Sequence, residues 1–251
     1  MRTIHVLPAL VLIGPALLSG AGEAVPCGRI MSAPAVTQAQ GQAKGLDDLP
    51  LVEVPANDGT RDFLAVLVTG DGGWAAADRG LSRDLSNSGI PVVGLNSLKY
   101  FWNRKTPDGA AADLARILSH YLRAWNKERA ILRGYSLGAD VMPFMMNRLP
   151  EDLQAAVDTV VLLGPSASAD FEFHFLDWVG RGPQGDALPT IPEIRKIRPG
   201  VAILCVYGQG DKDQICDQLD PGRVRPVVLP GSHRLGSGYG PVAAAILDSL
   251  R

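Results

Sequence analysis

The sequence predicts a single α/β domain built on a mostly parallel sheet with helices on both faces, and three observations carry that reading. From residue 46 onward, apolar runs of strand length alternate with segments of helical period. Two of the runs, VVLL before Gly164 and AILCVY before Gly208, are apolar almost throughout, as strands covered on both faces must be. The chain has 251 residues, 46% apolar and 20% charged, enough for one sizeable core and too apolar for a disordered chain.

At the start, Arg2 precedes an apolar run from Val6 to Leu18 that contains Pro8, Gly14 and Pro15 and is followed by Ser19, Gly20, Ala21, Gly22 and Ala24. That run of 13 residues is too short to span a bilayer comfortably. A positive charge, a short apolar core and small residues in that order describe a secretory signal. Residues 1–24 are therefore expected to be a signal peptide, cut after Ala21 or, preferentially, Ala24. Pro26 ahead of Cys27 argues against a lipid-attached terminus. Residues 25–45, rich in Ala, Gln, Gly and Pro without a period of 2 or 3.6, read as a disordered linker, and 46–251 as the folded domain.

Within that domain the expected strands are Leu51–Val54, Asp62–Thr69, Ile90–Leu95, Ala130–Arg133, Thr159–Leu163, Val201–Tyr207 and Val224–Leu229. The expected helices are Asp78–Ser88, Asp108–Trp125, Leu137–Arg148 and Pro241–Leu250. The Asn57, Asp58, Gly59 turn is expected to join the first two strands as a hairpin. Beyond it, strand and helix alternate, which requires right-handed crossovers and a parallel sheet. Pro143 should bend the helix that holds it, and the Gly/Pro-rich stretch Gly180 to Pro199 should run over the strand ends.

The sharpest chemical signal is Gly134-Tyr135-Ser136-Leu137-Gly138, a GxSxG pentapeptide between a strand ending ILR and a helix beginning LGAD. A tight strand-to-helix turn lifts a serine hydroxyl clear of the sheet, and the helix N-terminus sits beneath developing negative charge. Ser136 is the candidate nucleophile. A serine needs a base, and His233, in the Gly-rich loop before the last helix, stands where the order Ser, acid, His puts it. His120 lies mid-helix and reads as a surface residue. The acid should follow the penultimate strand, where GQGDKD offers Asp211, nearer the strand end and preferred, or Asp213. An oxyanion hole takes one N–H from Leu137 and a second from Asp71 or Gly72 in the loop GDGGW.

Export also permits disulfides. Cys205 and Cys216 flank the acid loop and are expected to pair, which leaves Cys27 over. No HExxH, paired CxxC or EF-hand loop occurs, nor a Rossmann GxGxxG, so no metal and no cofactor is expected. Lys and Arg total 24 against 26 for Asp and Glu, a net charge of −2, so no basic surplus points to nucleic acid.

With GYSLGADVMPFMMNRLP placed on an elbow and a helix, the sequence resembles the VirJ/AcvB family of bacterial periplasmic proteins. The resemblance extends through GDGGW, PVVGLNSLKYFW, DFEFH and LPGSHRLGSGY and covers nearly all of Leu51 to Leu250. It implies an α/β-hydrolase fold, a periplasmic location and a serine, histidine and acid at Ser136, His233 and the loop of Asp211. AcvB-type members imply hydrolysis of aminoacyl-phosphatidylglycerol at the membrane surface, lysyl or alanyl. The resemblance to VirJ implies a role in virulence and type IV secretion, and this chain has one domain, like VirJ and unlike the longer AcvB proteins. Asp71, Asp140, Glu172 and His174 are candidates to contact the substrate, the two aspartates through its ammonium. The expectation is a monomeric or weakly associating serine ester hydrolase. The alternative is a non-catalytic periplasmic chaperone or adaptor of a secretion system.

Overall fold

Strand β1 (Leu51–Val54) and strand β2 (Phe63–Val68) do not pair with one another. In the computed structural model, which describes residues 45–56, 58–173, 187–233 and 239–250, a third strand lies between them. Helix α1 (Ala76–Asn87) carries the chain from β2 to β3 (Val92–Leu95). Strand β3 runs antiparallel to β1, with Leu51 opposite Leu95, and parallel to β2, with Ala65 opposite Val92.

The expected hairpin is thus replaced by a crossover. Its turn chemistry is present: Asp58 Oδ1 accepts from the Thr60 amide and hydroxyl, and Gly59 has φ +58°. Asn57 lies outside the described residues. The segment steps past the start of β3, where a Cβ on Gly89 would come within 2.7 Å of Asp58 Oδ1. The reason is burial. Strand β2 is covered along its whole length and uses both edges in parallel ladders, whereas β1 is half-exposed and suited to an edge.

The remaining elements follow in order: α2 (Ser97–Tyr100), α3 (Pro107–Ala124), β4 (Arg129–Tyr135), α4 (Leu137–Asn147), α5 (Glu151–Ala156) and β5 (Val157–Leu163). After them come β6 (Ser168–Ala169), β7 (Leu188–Pro189), α6 (Thr190–Arg195), β8 (Ala202–Gly208), β9 (Val224–Leu229) and α7 (Gly240–Ser249). The main sheet has seven strands in the order β1-β3-β2-β4-β5-β8-β9, parallel throughout except for β1, and β6 with β7 forms a small antiparallel pair. Strands with period 2 feed two cores. Leu64, Val66, Val68 and Leu132 face α3 and α4, while Ala65, Leu67 and Ile131 face α1 and α7.

Local signals set the helix starts. Thr106 caps α3 by accepting from the Gly109 amide at 3.0 Å, and Pro107 fills the first helical position. Pro143 lies inside α4, which continues to Asn147. The short elements α2, α5 and α6 each make fewer than two turns, too few to display a helical period. Of the expected excursion Gly180 to Pro199, the described part contains β7 and α6. The far edge, β9, carries exposed Arg225 and Pro226.

Candidate active site

The β4-to-α4 turn is built from two enforced glycines and one strained serine. A Cβ on Gly134 would meet the Gly138 carbonyl oxygen at 2.2 Å, and one on Gly138 would meet the Val68 oxygen at 2.3 Å. Neither position tolerates a side chain without backbone movement. Ser136 between them has φ +50° and ψ −120°, a region that costs a non-glycine residue energy and is kept only where neighbours fix it. The neighbours are visible. The Ser136 amide donates to Leu163 O at 2.8 Å, and its carbonyl accepts from Ala139 at 2.7 Å and Asp140 at 3.0 Å.

His233 reaches this serine from the loop after β9. Its Nε2 lies 2.9 Å from Ser136 Oγ, and its Nδ1 lies 3.1 Å from Asp211 Oδ2. A carboxylate at Nδ1 favours the tautomer that donates there and leaves Nε2 as an acceptor for the serine hydroxyl. The imidazole side chain is 45% exposed while Asp211 is 5% exposed, so the chain of bonds runs from an open end to a covered one. Asp213, the other candidate acid, is exposed. Its amide donates to Asp211 Oδ1 at 3.2 Å and so steadies the carboxylate that His233 meets.

The acid loop is held at both ends. Asp211 and Gly210 donate backbone bonds to Gly208 and Gly231, and the Cys205–Cys216 disulfide fastens the loop's far side to β8.

The GDGGW loop stands on the other side of the serine. A Cβ on Gly70 would lie 3.2 Å from the Tyr135 ring and 3.5 Å from Ser136 Cβ, so the backbone there runs against the nucleophile. A bond from the Gly73 amide to Gly70 O closes a tight turn around Asp71 and Gly72. On the elbow side, Leu137 is the first residue of α4, and the first N–H of a helix has no partner within it.

The other candidate residues are elsewhere. Asp140 is buried on the first turn of α4, and its two oxygens accept from the amide and hydroxyl of Ser166, each at 2.6 Å. Burial pushes its carboxyl up to about 7, against the opposing effect of the two Ser166 bonds. Asp140 thereby ties α4 to the loop after β5 and does not present a carboxylate to substrate. Glu172 belongs to a segment pinned against residues 101–105, and its amide donates to Asp170 Oδ1. It makes no hydrogen bond or ion pair with Ser136, His233 or Asp211. His174 and Cys27 lie outside the described residues, as do residues 1–44. His120 is exposed on α3.

Sequence reasoning passes over three residues that the site uses structurally. Arg133, on β4, is fully buried and pairs with Asp78 at 2.6 Å; among the described residues its Nε and Nη2 have no hydrogen-bond partner, and its guanidinium lies 5.3 Å from the Tyr135 ring centroid. Asp78 Oδ2 also accepts from the Ala75 amide, so the pair links the helix following the GDGGW loop to the strand preceding the elbow. Gly164 lies beside the His233 imidazole. Arginine inside an apolar strand is the one readable signal for this group, because charges are seldom buried unpaired.

The seven-stranded order with its antiparallel first strand and the serine elbow between β4 and α4 define an α/β-hydrolase fold. Solved structures with this fold superpose on the chain. Est1E from Butyrivibrio proteoclasticus matches with a TM-score of 0.56 at 11% identity, covering 79% of this chain and 92% of that one. The Pyrococcus furiosus esterase Pf2001 matches at 0.55 and 13%, over 81% and 89%. MenH from S. aureus matches at 0.55 and 13%, over 80% and 97%. The chain itself belongs to the VirJ family: the family model described as "Bacterial virulence protein (VirJ)" matches residues 62–251. No curated protein matches it in sequence.

Proposed function

We propose that the chain is an exported serine ester hydrolase of the periplasm that acts on aminoacyl-phosphatidylglycerol. The observation that carries this reading is the hydrogen-bonded series Ser136, His233, Asp211 on a strained elbow. His233 Nε2 takes the hydroxyl proton as Ser136 Oγ attacks the ester carbonyl, forming a tetrahedral intermediate. Its oxyanion is received by the amides of Leu137 and of Asp71 or Gly72. His233 then gives the proton to the glycerol oxygen as the ester bond breaks. Water, deprotonated by the same imidazole, releases the amino acid from Ser136. Asp211 orients the ring and stabilises the imidazolium.

Asp71 belongs to the loop that runs against Ser136, and it is the carboxylate we assign to the substrate ammonium. The leader-like start and the Cys205–Cys216 disulfide support export. The test is twofold. A fluorophosphonate probe should label the wild type and leave Ser136→Ala unlabelled. The labelled protein should release amino acid from aminoacyl-phosphatidylglycerol, with a raised KM in Asp71→Asn. A folded wild type that takes no probe would instead point to an adaptor of a secretion system.

A further inference from the structure

Trp102 stands out on the surface. It is 64% exposed, and among the described residues Val228 is the other exposed large apolar side chain. The indole is held in place: it stacks on Phe173 with ring centroids 5.9 Å apart and planes 16° from parallel. Beneath the stack, the Lys105 amide donates to Phe171 O and the Phe173 amide to Phe101 O, at 2.9 and 2.8 Å, joining two loop segments side by side. Phe171 packs edge-on against Phe101 and Phe144, and Phe144 belongs to α4. The aromatic rim is therefore anchored to the helix that begins at the serine elbow.

Its place in the fold follows from topology. Strands β3, β4 and β5 are parallel neighbours through β2, so the chain leaves all three at the same edge of the sheet. Trp102 comes after β3, Ser136 after β4 and Phe173 after β5. Residues 97–107 carry Lys99, Arg104 and Lys105 and no carboxylate, Lys99 being exposed while the Lys105 ammonium lies over the Tyr100 ring, 4.8 Å from its centroid, and Asp170 and Glu172 lie on the adjoining segment.

We propose that Trp102 with Phe173, together with the exposed Lys99, docks the protein on an anionic lipid bilayer and so sets the edge that carries Ser136 against the membrane. A tryptophan is at home at the depth of lipid headgroups, apolar at its face and polar at its N–H, and neighbouring lysines are drawn to anionic lipid. A protein partner fits less well. A stable interface takes about 800 Å² from each side, and two aromatic rings supply roughly 150–250 Å² apiece. The choice of a bilayer rests on the lipid-ester reading of the site, but the binding assay involves no hydrolysis, so the two fail separately.

The experiment is co-sedimentation of the exported protein with vesicles of phosphatidylglycerol mixed with phosphatidylcholine, compared with phosphatidylcholine alone. Binding should favour the anionic vesicles, weaken with salt and fall about tenfold or more in Trp102→Ala and several-fold in Lys99→Glu. Turnover of a water-soluble aminoacyl ester should be unchanged in Trp102→Ala, while turnover of the vesicle-borne ester drops. Wild-type protein that ignores anionic vesicles, or Trp102→Ala that binds them equally, overturns the proposal. So does self-association that Trp102→Ala abolishes without any vesicle binding, which would assign the rim to a second copy. Vesicle binding without turnover of any ester would leave docking standing and reject the hydrolase reading.

Discussion

The His233 imidazole rests against Gly164: a Cβ built there would come within 3.0 Å of its Cε1 and 3.1 Å of its Nδ1. Gly164 follows Leu163, whose carbonyl accepts from the Ser136 amide, and its own amide donates to Val206 O at 2.7 Å. Two successive residues at the end of β5 therefore set the serine backbone and the face of the base.

Gly164→Ala should displace the imidazole, because the methyl needs the space of Nδ1 and Cε1. The backbone there has φ +58°, so alanine adds strain of about 1–2 kcal/mol. Turnover is expected to fall on the order of a hundredfold, as misplacing a reacting group by about 1 Å does, while circular dichroism still reports a folded protein. An alanine variant with unchanged turnover would remove Gly164 from this role.

Opening the disulfide should cost more activity than structure. Cys205 and Cys216 are 11 residues apart and enclose both Asp211 and Asp213. Closing a loop of that size is worth roughly 3 kcal/mol in the chain-entropy account. In Cys216→Ser, turnover measured well below the melting transition should drop while most of the protein remains folded. Loss of activity strictly in proportion to unfolded fraction would assign the bridge to stability alone.

Arg133 and Asp78 should be intolerant singly and less than additive together. Removing one partner strands a buried charge, at a cost of about 3–5 kcal/mol. Asp78→Asn and Arg133→Met should each lower the urea midpoint strongly, and the double variant Asp78→Asn/Arg133→Met should lose less than the sum of the two. Additive losses in the double variant would mean that the two residues do not act as a pair.

Asp140 gives stability a pH dependence of definite sign. Its folded value, about 7, lies above the ordinary carboxylate value of about 3.9. Between those limits the folded protein holds a proton that the unfolded chain has released. Stability should therefore decline by a few kcal/mol, in order of magnitude, as pH rises from about 4 to about 7, and level off above. Asp140→Asn, measured by urea unfolding across that range, should lose this contribution. Identical pH slopes for the two proteins would contradict it.

The sequence made some of this readable and hid the rest for physical reasons. Ser136, His233 and Asp211 can be named in order along the chain because each follows a strand whose apolar run is unmistakable, and they are the three that hydrogen bonds join. The pairing of β1 was not legible. Asp58 and Gly59 make the same local turn whether the chain folds straight back or steps past a neighbour, and only the later arrival of β3 decides between them. Asp140 looked available because a carboxylate one turn after the nucleophile faces the site in sequence, but Ser166, a partner 26 residues away, takes both oxygens. Gly164 carries no signal at all, since its importance lies in the space it leaves for a ring from the far end of the chain.

Strand β9 is the last in the sheet, and Pro226 sits within it opposite Cys205. A proline has no N–H to offer, so a second chain cannot extend the sheet along this side without a gap in the ladder, and the neighbouring Arg225 is held on the face of the sheet by its ion pair with Asp248 at 2.8 Å. The loop that brings His233 to the serine leaves from the end of that same strand. Guarding the border against strand addition thus also keeps the base's approach clear, and a variant with valine at position 226 would expose the histidine loop to the growth of an intermolecular sheet.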